Sequence, residues 1–385
     1  MGVSGGIACY KSVEIVRQLQ KAGASVYVIM TQNATRFVGP MTFEAISGHP
    51  VCIDLFETGT NTSFHHIQWA EMADAVIIAP ATANVLAKVA HGIADDALTT
   101  FLLAVQSPVL LCPSMNTRMW ENPVVQDNIN SIEKRNISIL APASGDLACG
   151  TSGAGRQPEA SIIVQHAHAL LAPKDFSGKR MLVTAGPTLE YIDPVRFISN
   201  PSSGKMGYAI AEAAYCRGAE VILISGPTSL DIPTGVHFIS VQTVDQMANA
   251  VFAHEADMDI IIKAAAVADY KVLQQAAHKI KKHDDRLQLN LIKNQDILKE
   301  LGHRKKHQYL IGFAAETQDL IKNAQQKLSE KNLDLIVANL IGQKDSGFQA
   351  DTNQVTLLFK DGKQTVLSLA SKETIAHSVL DVCPV

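Results

Sequence analysis

Apolar positions along the chain follow two alternating rhythms. From Ile7 to Gln20, the residues Val13, Val16 and Leu19 share one helical face, and Lys21-Ala22-Gly23-Ala24 ends the pattern. Short apolar runs then read as strands: Ser25 to Met30, Asp74 to Ala79, Pro108 to Cys112 and Ile137 to Leu140. Helices are predicted over Asn84 to Ala90 and Ala160 to Leu171. Strands alternating with helices predict an α/β fold with a parallel sheet covered on both faces.

Pro173-Lys174-Asp175-Phe176-Ser177-Gly178 breaks the helical pattern and is mostly polar, as a linker would be. The rhythm then restarts. Strands are predicted over Met181 to Ala185, Glu220 to Ser225, Ile260 to Ala264, Tyr309 to Phe313 and Leu335 to Ala338, with a helix over Met206 to Arg217. Gln354 to Phe359 and Gln364 to Leu369 read as a hairpin around Asp361-Gly362. A chain of 385 residues is too long for one ordinary core. The expected organisation is therefore two doubly wound, Rossmann-like domains, 1–172 and 179–385, joined by 173–178. Helix, Gly-Ala and strand recur in both halves, but nothing else aligns, so this is a generic connection and not a repeat.

Composition narrows the function. The hydrophobic fraction is 47% and the formal net charge is -4, which gives no support for a nucleic-acid or membrane partner. Six scattered cysteines form no C-x-x-C pair, so neither a zinc site nor a disulfide framework is indicated. No signal peptide or membrane-length apolar run is visible, and a cytoplasmic location is expected.

In the first half, Gly2-Val3-Ser4-Gly5-Gly6 sits where a strand meets a helix N-terminus, a geometry that favours phosphate. Many such turns only close a βα unit. It is not G-x-G-x-x-G, and Thr31-Gln32 replaces the acidic residue of a nicotinamide site. Pro80-Ala81-Thr82-Ala83-Asn84 follows another strand, with Thr82 as a candidate helix N-cap. His65-His66 lacks a third ligand nearby. Asn116 could be a turn former, whereas Cys149 lies in a Gly/Ser-rich stretch where a structural cysteine is unusual.

Taken together, five ordered segments carry a resemblance over roughly the first 170 residues. They are Ser4 to Lys11, His66-Ile67, Pro80 to Asn84, Pro113 to Asn116 with Met119-Trp120, and Ala148-Cys149-Gly150 with Gly155-Arg156. They resemble the flavoprotein decarboxylases that process cysteine carboxylates. The resemblance implies FMN, held by Ser4, Gly5, Gly6, Ile7, Pro80, Ala81, Thr82 and Asn84. It implies that FMN oxidises the substrate thiol to a thioaldehyde, which accepts the electrons as CO₂ leaves. His66 would assist as a base or binding group, Asn116 would hold the carboxylate, and Cys149 would donate a proton.

In the second half, Thr184 to Thr188 ends a strand, and Asn200 to Gly207 opens a helix with Ser, Gly and Lys. The spacing is not that of a Walker A loop. Lys279 to Lys282 and His303 to His307 are basic runs, which are usually solvated faces. Lys327 and Lys331 share one side of a predicted helix. With Ala264 to Tyr270, Gly312 to Thr317 and Lys331 to Asn339, these segments resemble the phosphopantothenate–cysteine ligases from about Gly178 onward. The order of the halves is that of the bacterial fusion proteins of coenzyme A biosynthesis.

A carboxylate is inert to amines at neutral pH and must be activated. The resemblance implies CTP with Mg²⁺, an acyl-cytidylate, and displacement of CMP by cysteine. It implies Lys279 at the attacked phosphorus and Asn200 holding the acyl-cytidylate. Ala264, Ala265, Asp269, Asp296, Ile297, Leu298, Phe313, Lys327 and Lys331 would contact the nucleotide. No metal ligands are assigned. Partners would be 4'-phosphopantothenate, cysteine and CTP, in a homo-oligomer of flavoprotein trimers and ligase dimers.

Three features depart from the family pattern. Pro201 replaces a basic or polar residue, and Gln295 replaces a proline before Asp296. Met1-Gly2-Val3 is shorter than the usual first strand. A start upstream of Met1 is therefore expected, with an apolar slot and unpaired neighbours where the missing residues would lie. The competing readings are a non-catalytic flavin-binding regulator and, disfavoured by Thr31-Gln32, a nicotinamide dehydrogenase.

Overall fold

The computed structural model describes the chain apart from residues 56–64, 136, 147–151, 282–286, 317 and 341–348, and apart from the side chains of residues 65, 66 and 146. It divides into two compact units, Met1–Ala172 and Pro173–Val385.

The first unit is built on six parallel strands: β1 (Gly2–Val3), β2 (Val28–Met30), β3 (Val51–Cys52), β4 (Val76–Ala81), β5 (Val109–Pro113) and β6 (Ser138–Ile139). Their order is β3-β2-β1-β4-β5-β6, the 3-2-1-4-5-6 arrangement of doubly wound dinucleotide folds. Helices α1 (Cys9–Lys21), α2 (Pro40–Ser47), α3 (His65–Met72), α4 (Ala83–His91), α5 (Ala97–Ala104), α6 (Thr117–Trp120), α7 (Pro123–Glu133) and α8 (Ala160–Leu171) complete it, with a hairpin of β7 (Ala143–Asp146) and β8 (Ser152–Arg156). Strand alternation puts Ile77 and Ala79 of β4 into one apolar cluster and Val76 and Ile78 into another. Each such fully buried Ile or Val contributes about 2 kcal/mol.

The central strand β1 is only two residues long, yet it bridges both neighbours, with Gly2 opposite Ile29 and Ile78. The neighbours are thus joined, contrary to expectation. A cavity of about 560 Å³ beside Met1 is lined by Val26, Tyr27, Trp69, Val76 and Phe101.

The second unit repeats the architecture with additions. Its strands are β9 (Arg180–Ala185), β10 (Leu189–Tyr191), β11 (Phe197–Ser199), β12 (Glu220–Ser225), β13 (His237–Ser240), β14 (Ile260–Lys263), β15 (Tyr270–Val272), β16 (Leu291–Lys293), β17 (Tyr309–Glu316), β18 (Leu335–Leu340), β19 (Thr352–Phe359) and β20 (Gln364–Ser371). Eight of them form one sheet, ordered β13-β12-β9-β14-β17-β18-β19-β20. The first six are parallel in the same 3-2-1-4-5-6 sense, and β19 and β20 add antiparallel. Helices α9 (Lys205–Cys216), α10 (Val244–His254), α11 (Ile297–Arg304), α12 (Leu320–Glu330) and α13 (Lys372–Leu380) cover both faces.

Residues 173–178 are not a loose linker. Phe176 is fully buried in the core of the second unit, and Asp175 pairs with Arg217. An aromatic side chain among polar residues supplied the anchor. Among the described residues no helix is long and apolar enough to cross a membrane. Cys9, Cys52, Cys112, Cys216 and Cys383 are free and buried.

Candidate active sites

In a 3-2-1-4-5-6 sheet the chain reverses direction between its first and fourth strands, and the loops there splay apart to leave a crevice. Each unit has its principal polar loops at that point. In the first unit they follow β1 and β4. Ser4 ties them together: its Oγ donates to the Pro80 carbonyl at 2.7 Å and accepts from the Thr82 N–H at 3.0 Å. Next to this knot, the N–H groups of Gly5 and Ile7 have no partner among the described residues, and that of Gly6 meets the buried Cys9 thiol. They precede α1, so backbone donors and a helix dipole face one place.

The adjoining cavity, of about 410 Å³, is lined by Gly5, Gly6, Ile7, Thr82, Ser114 and Asn116, among others. Ile7 and Tyr10 are each 62% exposed and Met119 is 48% exposed, so the cavity presents apolar faces beside polar donors. A Cβ on Gly5 would stand 2.5 Å from that of Asn33, so only glycine fits there. Backbone donors for a phosphate and apolar faces for a flat ring are the requirements of a flavin mononucleotide, and the residues present fit it.

The expected cofactor residues divide. Ser4, Gly5, Gly6, Ile7 and Thr82 stand at the loop pair. Pro80 and Ala81 do not line the cavity, because they are buried in β4, where Pro80 contributes its carbonyl to Ser4. Asn84 is exposed on the first turn of α4, away from the cavity wall. Thr82 occupies the N-cap of α4 without a side-chain cap bond.

Asn116 lines the cavity and caps α6, its Oδ1 accepting from the Arg118 N–H at 2.9 Å. Strand β8 lies against this turn, with Met115 N–H donating to the Gly155 carbonyl at 3.0 Å. Cys149 lies outside the described residues, between β7 and β8, as does the side chain of His66, whose backbone opens α3. Gln157 was not expected here. It lines the cavity, is 1% exposed, and neither of its amide atoms has a hydrogen-bond partner among the described residues.

In the second unit the corresponding loops follow β9 and β14. They touch at a parallel bridge between Pro187 and Ala266. Here lies a cavity of about 690 Å³. It gathers Asn200, Ala264, Ala265, Asp269, Asp296, Ile297, Leu298, Phe313, Lys327 and Lys331 from five separate stretches of chain, all named from sequence. Asn200 donates its amide to the carbonyls of Ala266 (3.2 Å) and Val267 (3.1 Å), which fixes the loop after β14. Asp296 caps α11 by accepting from the Lys299 N–H at 3.0 Å, and it pairs with Lys331 at 2.9 Å. Burial pushes the Asp296 carboxyl up, but the Lys331 ammonium and the Lys299 N–H outweigh it and hold it below its ordinary value. Lys327 pairs with Glu316 at 2.6 Å.

Lys279 does not join them. It is exposed and off the cavity wall, because the chain is pinned one residue later: Ile280 N–H donates to Asp193 and Ile280 carbonyl accepts from Arg196. The two loop substitutions also part company, since Gln295 lines the cavity and Pro201 does not. Lys263 is on the wall and was missed, although a lysine closing the run Ile260-Ile261-Ile262 is a visible signal. Among the described residues no group of three His, Cys, Asp or Glu could hold a metal ion.

Comparison with known proteins agrees with this division. Residues 1–172 match the flavoprotein family, and residues 176–384 match the family of the DNA/pantothenate metabolism flavoprotein C-terminal domain. The chain is 50% identical over 382 residues to the coenzyme A biosynthesis bifunctional protein CoaBC of Bacillus subtilis, covering 98% of this chain and 94% of that one. It is 43% identical over 383 residues to the protein of the same name from Vibrio cholerae, covering 99% and 96%. A crystal structure of the C-terminal domain of a CoaBC protein is 46% identical, covers 54% of this chain and 94% of its own, and gives a TM-score of 0.46.

Proposed function

The chain belongs to the family of bifunctional coenzyme A biosynthesis proteins CoaBC, and from that membership we propose that its second unit couples cysteine to 4'-phosphopantothenate using CTP, and that its first unit decarboxylates the product to 4'-phosphopantetheine. The observation that carries the ligase half is the gathering of Asn200, Asp269, Asp296, Lys327 and Lys331 around one cavity at the sheet's switch point. A nucleotide and a carboxylate must lie end to end there for the acyl-cytidylate to form. Asn200 holds the loop after β14 in the shape that receives them. Mg²⁺ arrives on the phosphates of CTP, where it keeps much of its own water.

In the first unit the Gly5 to Ile7 donors take the FMN phosphate, and Thr82 and Asn116 border the cavity that takes the ring. The chemistry supplied by bound FMN is the removal and return of electrons at the substrate's thiol end, which gives the departing carboxylate an electron sink. Asn116 orients that carboxylate. His66 and Cys149 keep their assigned parts in proton handling on the strength of their motifs. Exposed Ile7, Tyr10 and Met119 are covered by the flavin and by a neighbouring copy. No observation favours a regulatory, non-catalytic role.

The test is one reaction mixture of the full chain with FMN, CTP, Mg²⁺, phosphopantothenate and cysteine. Phosphopantetheine should form, with pyrophosphate released only when CTP, phosphopantothenate and cysteine are all present. Absence of pyrophosphate release under those conditions would sink the ligase half. Accumulation of the cysteine adduct would sink the decarboxylase half.

A further inference from the structure

Lys263 ends β14, immediately before the loop that Asn200 braces, and it lines the nucleotide cavity while being only 9% exposed. Its neighbours of like charge are already engaged. Lys327 is paired with Glu316 and Lys331 with Asp296, whereas Lys263 has no hydrogen bond or ion pair with any described residue. Burial pushes its ammonium down to about 8, repulsion from Lys331 adds to this, and attraction by Asp296 and Asp269 opposes it. The group therefore keeps its charge at neutral pH. A desolvated, unpaired charge is costly unless an opposite charge meets it. A compact ammonium on a strand end is a point charge suited to a phosphate oxygen.

We propose that Lys263 is a phosphate-binding residue of the nucleotide site, positioning the phosphate chain of CTP for attack by the substrate carboxylate. The inference rests on the reading of this cavity as the CTP site. Phosphopantothenate also carries a phosphate. Lys263 is assigned to the nucleotide because its electrostatic neighbours, Lys331, Asp296 and Asp269, are nucleotide positions. Phosphate contact favours the charged form of the ammonium, so affinity should fall as pH rises past 8, where the free group loses its proton.

The experiment is calorimetric titration of CTP with Mg²⁺, and separately of phosphopantothenate, into the flavin-loaded full chain at pH 7 and pH 9. Wild-type affinity for CTP should fall by up to about tenfold between these pH values. Lys263→Met should bind CTP about 10- to 100-fold more weakly at pH 7, with that pH dependence reduced to the share contributed by Lys372, a second ammonium on the wall that burial brings down to about 8, and with phosphopantothenate binding kept. Unchanged CTP affinity, an unchanged pH dependence, or a loss that falls on phosphopantothenate instead would each overturn the assignment. Should Lys263→Met fail to fold, Lys263→Arg decides: its guanidinium does not titrate in this range, so the pH dependence should shrink to the same Lys372 share, and a persisting wild-type slope would overturn the proposal. A wild-type protein that binds phosphopantothenate but no CTP would instead refute the CTP reading of the cavity, and the inference with it.

Discussion

Both units place a cavity at the same topological position, between the first and fourth strands of a 3-2-1-4-5-6 sheet, and they furnish it in opposite ways. The first offers backbone N–H groups at Gly5 to Ile7 and broad apolar faces from Ile7, Tyr10 and Met119. The second offers ammonium groups of Lys263, Lys327 and Lys331 set among carboxylates. The fold thus fixes where a ligand binds, and loop chemistry fixes which one. A flat ring with a single phosphate is matched by shape and by backbone donors. The triphosphate proposed for the second cavity would meet side-chain cations, of which Lys327 and Lys331 are balanced beforehand by Glu316 and Asp296.

The sharpest way to break this comparison is to spoil one cavity by shape alone. Gly5→Val places a side chain where even a Cβ lies 2.5 Å from Asn33 Cβ and 2.9 Å from its backbone carbon. The loop must shift, and its three donors shift with it. The purified variant should lack visible flavin absorbance and should lose decarboxylation by about 100-fold or more, because a misplaced reactive group costs that much. Pyrophosphate release by the ligase should stay within about twofold of wild type, since the two sites belong to separate compact units. A yellow Gly5→Val protein would show that the glycine turn is not where the flavin phosphate sits.

The converse test removes a polar side chain from the second cavity. Asn200→Ala frees the carbonyls of Ala266 and Val267 and loosens the loop after β14. Ligase turnover should fall by about 100-fold, the usual effect of deleting one preorganised polar group. Flavin content should be unchanged. If kcat holds and only the apparent affinity for CTP suffers, Asn200 braces the loop without touching the reacting atoms.

The two sites were not equally legible in the sequence. Long apolar runs located their elements well: Glu220–Ser225 and Ala160–Leu171 have the bounds that periodicity predicts. Strands of two to four residues, such as Val51–Cys52 and His237–Ser240, escaped because pairing with a neighbour, not their own pattern, makes them strands. Phe176 was hidden for a similar reason, as one aromatic residue in a polar stretch shows no period. Within the sites, residues in loops after buried strands were found. Pro80 and Ala81 stand off the cavity wall, because β4 runs on to Ala81. Lys279 stands off the other wall because of the Asp193–Arg196 tether at Ile280, a tertiary contact that no local pattern reveals.

The smallest predicted effect concerns Gln157, whose side chain, like that of Lys263, has no hydrogen-bond partner among the described residues. Lys263 faces the space a ligand would fill. Gln157 lines its cavity, but its Nε2 and Oε1 present no surface and have no partner among the described residues, while its main-chain carbonyl accepts from Lys11 Nζ at 3.3 Å. An amide whose polar atoms present no surface and find no partner has lost its solvation without recompense. Gln157→Met keeps the length of the side chain and removes both orphaned atoms. It should stabilise the first unit by about 1–3 kcal/mol, read as a higher denaturant midpoint for loss of flavin fluorescence changes, while the melting of the second unit and the CTP affinity stay put. Flavin affinity should change by less than about threefold, since an amide whose polar atoms present no surface contributes nothing to binding. Loss of stability in Gln157→Met would mean that the amide finds partners in the assembled protein, and the contrast between the two orphaned groups would fall.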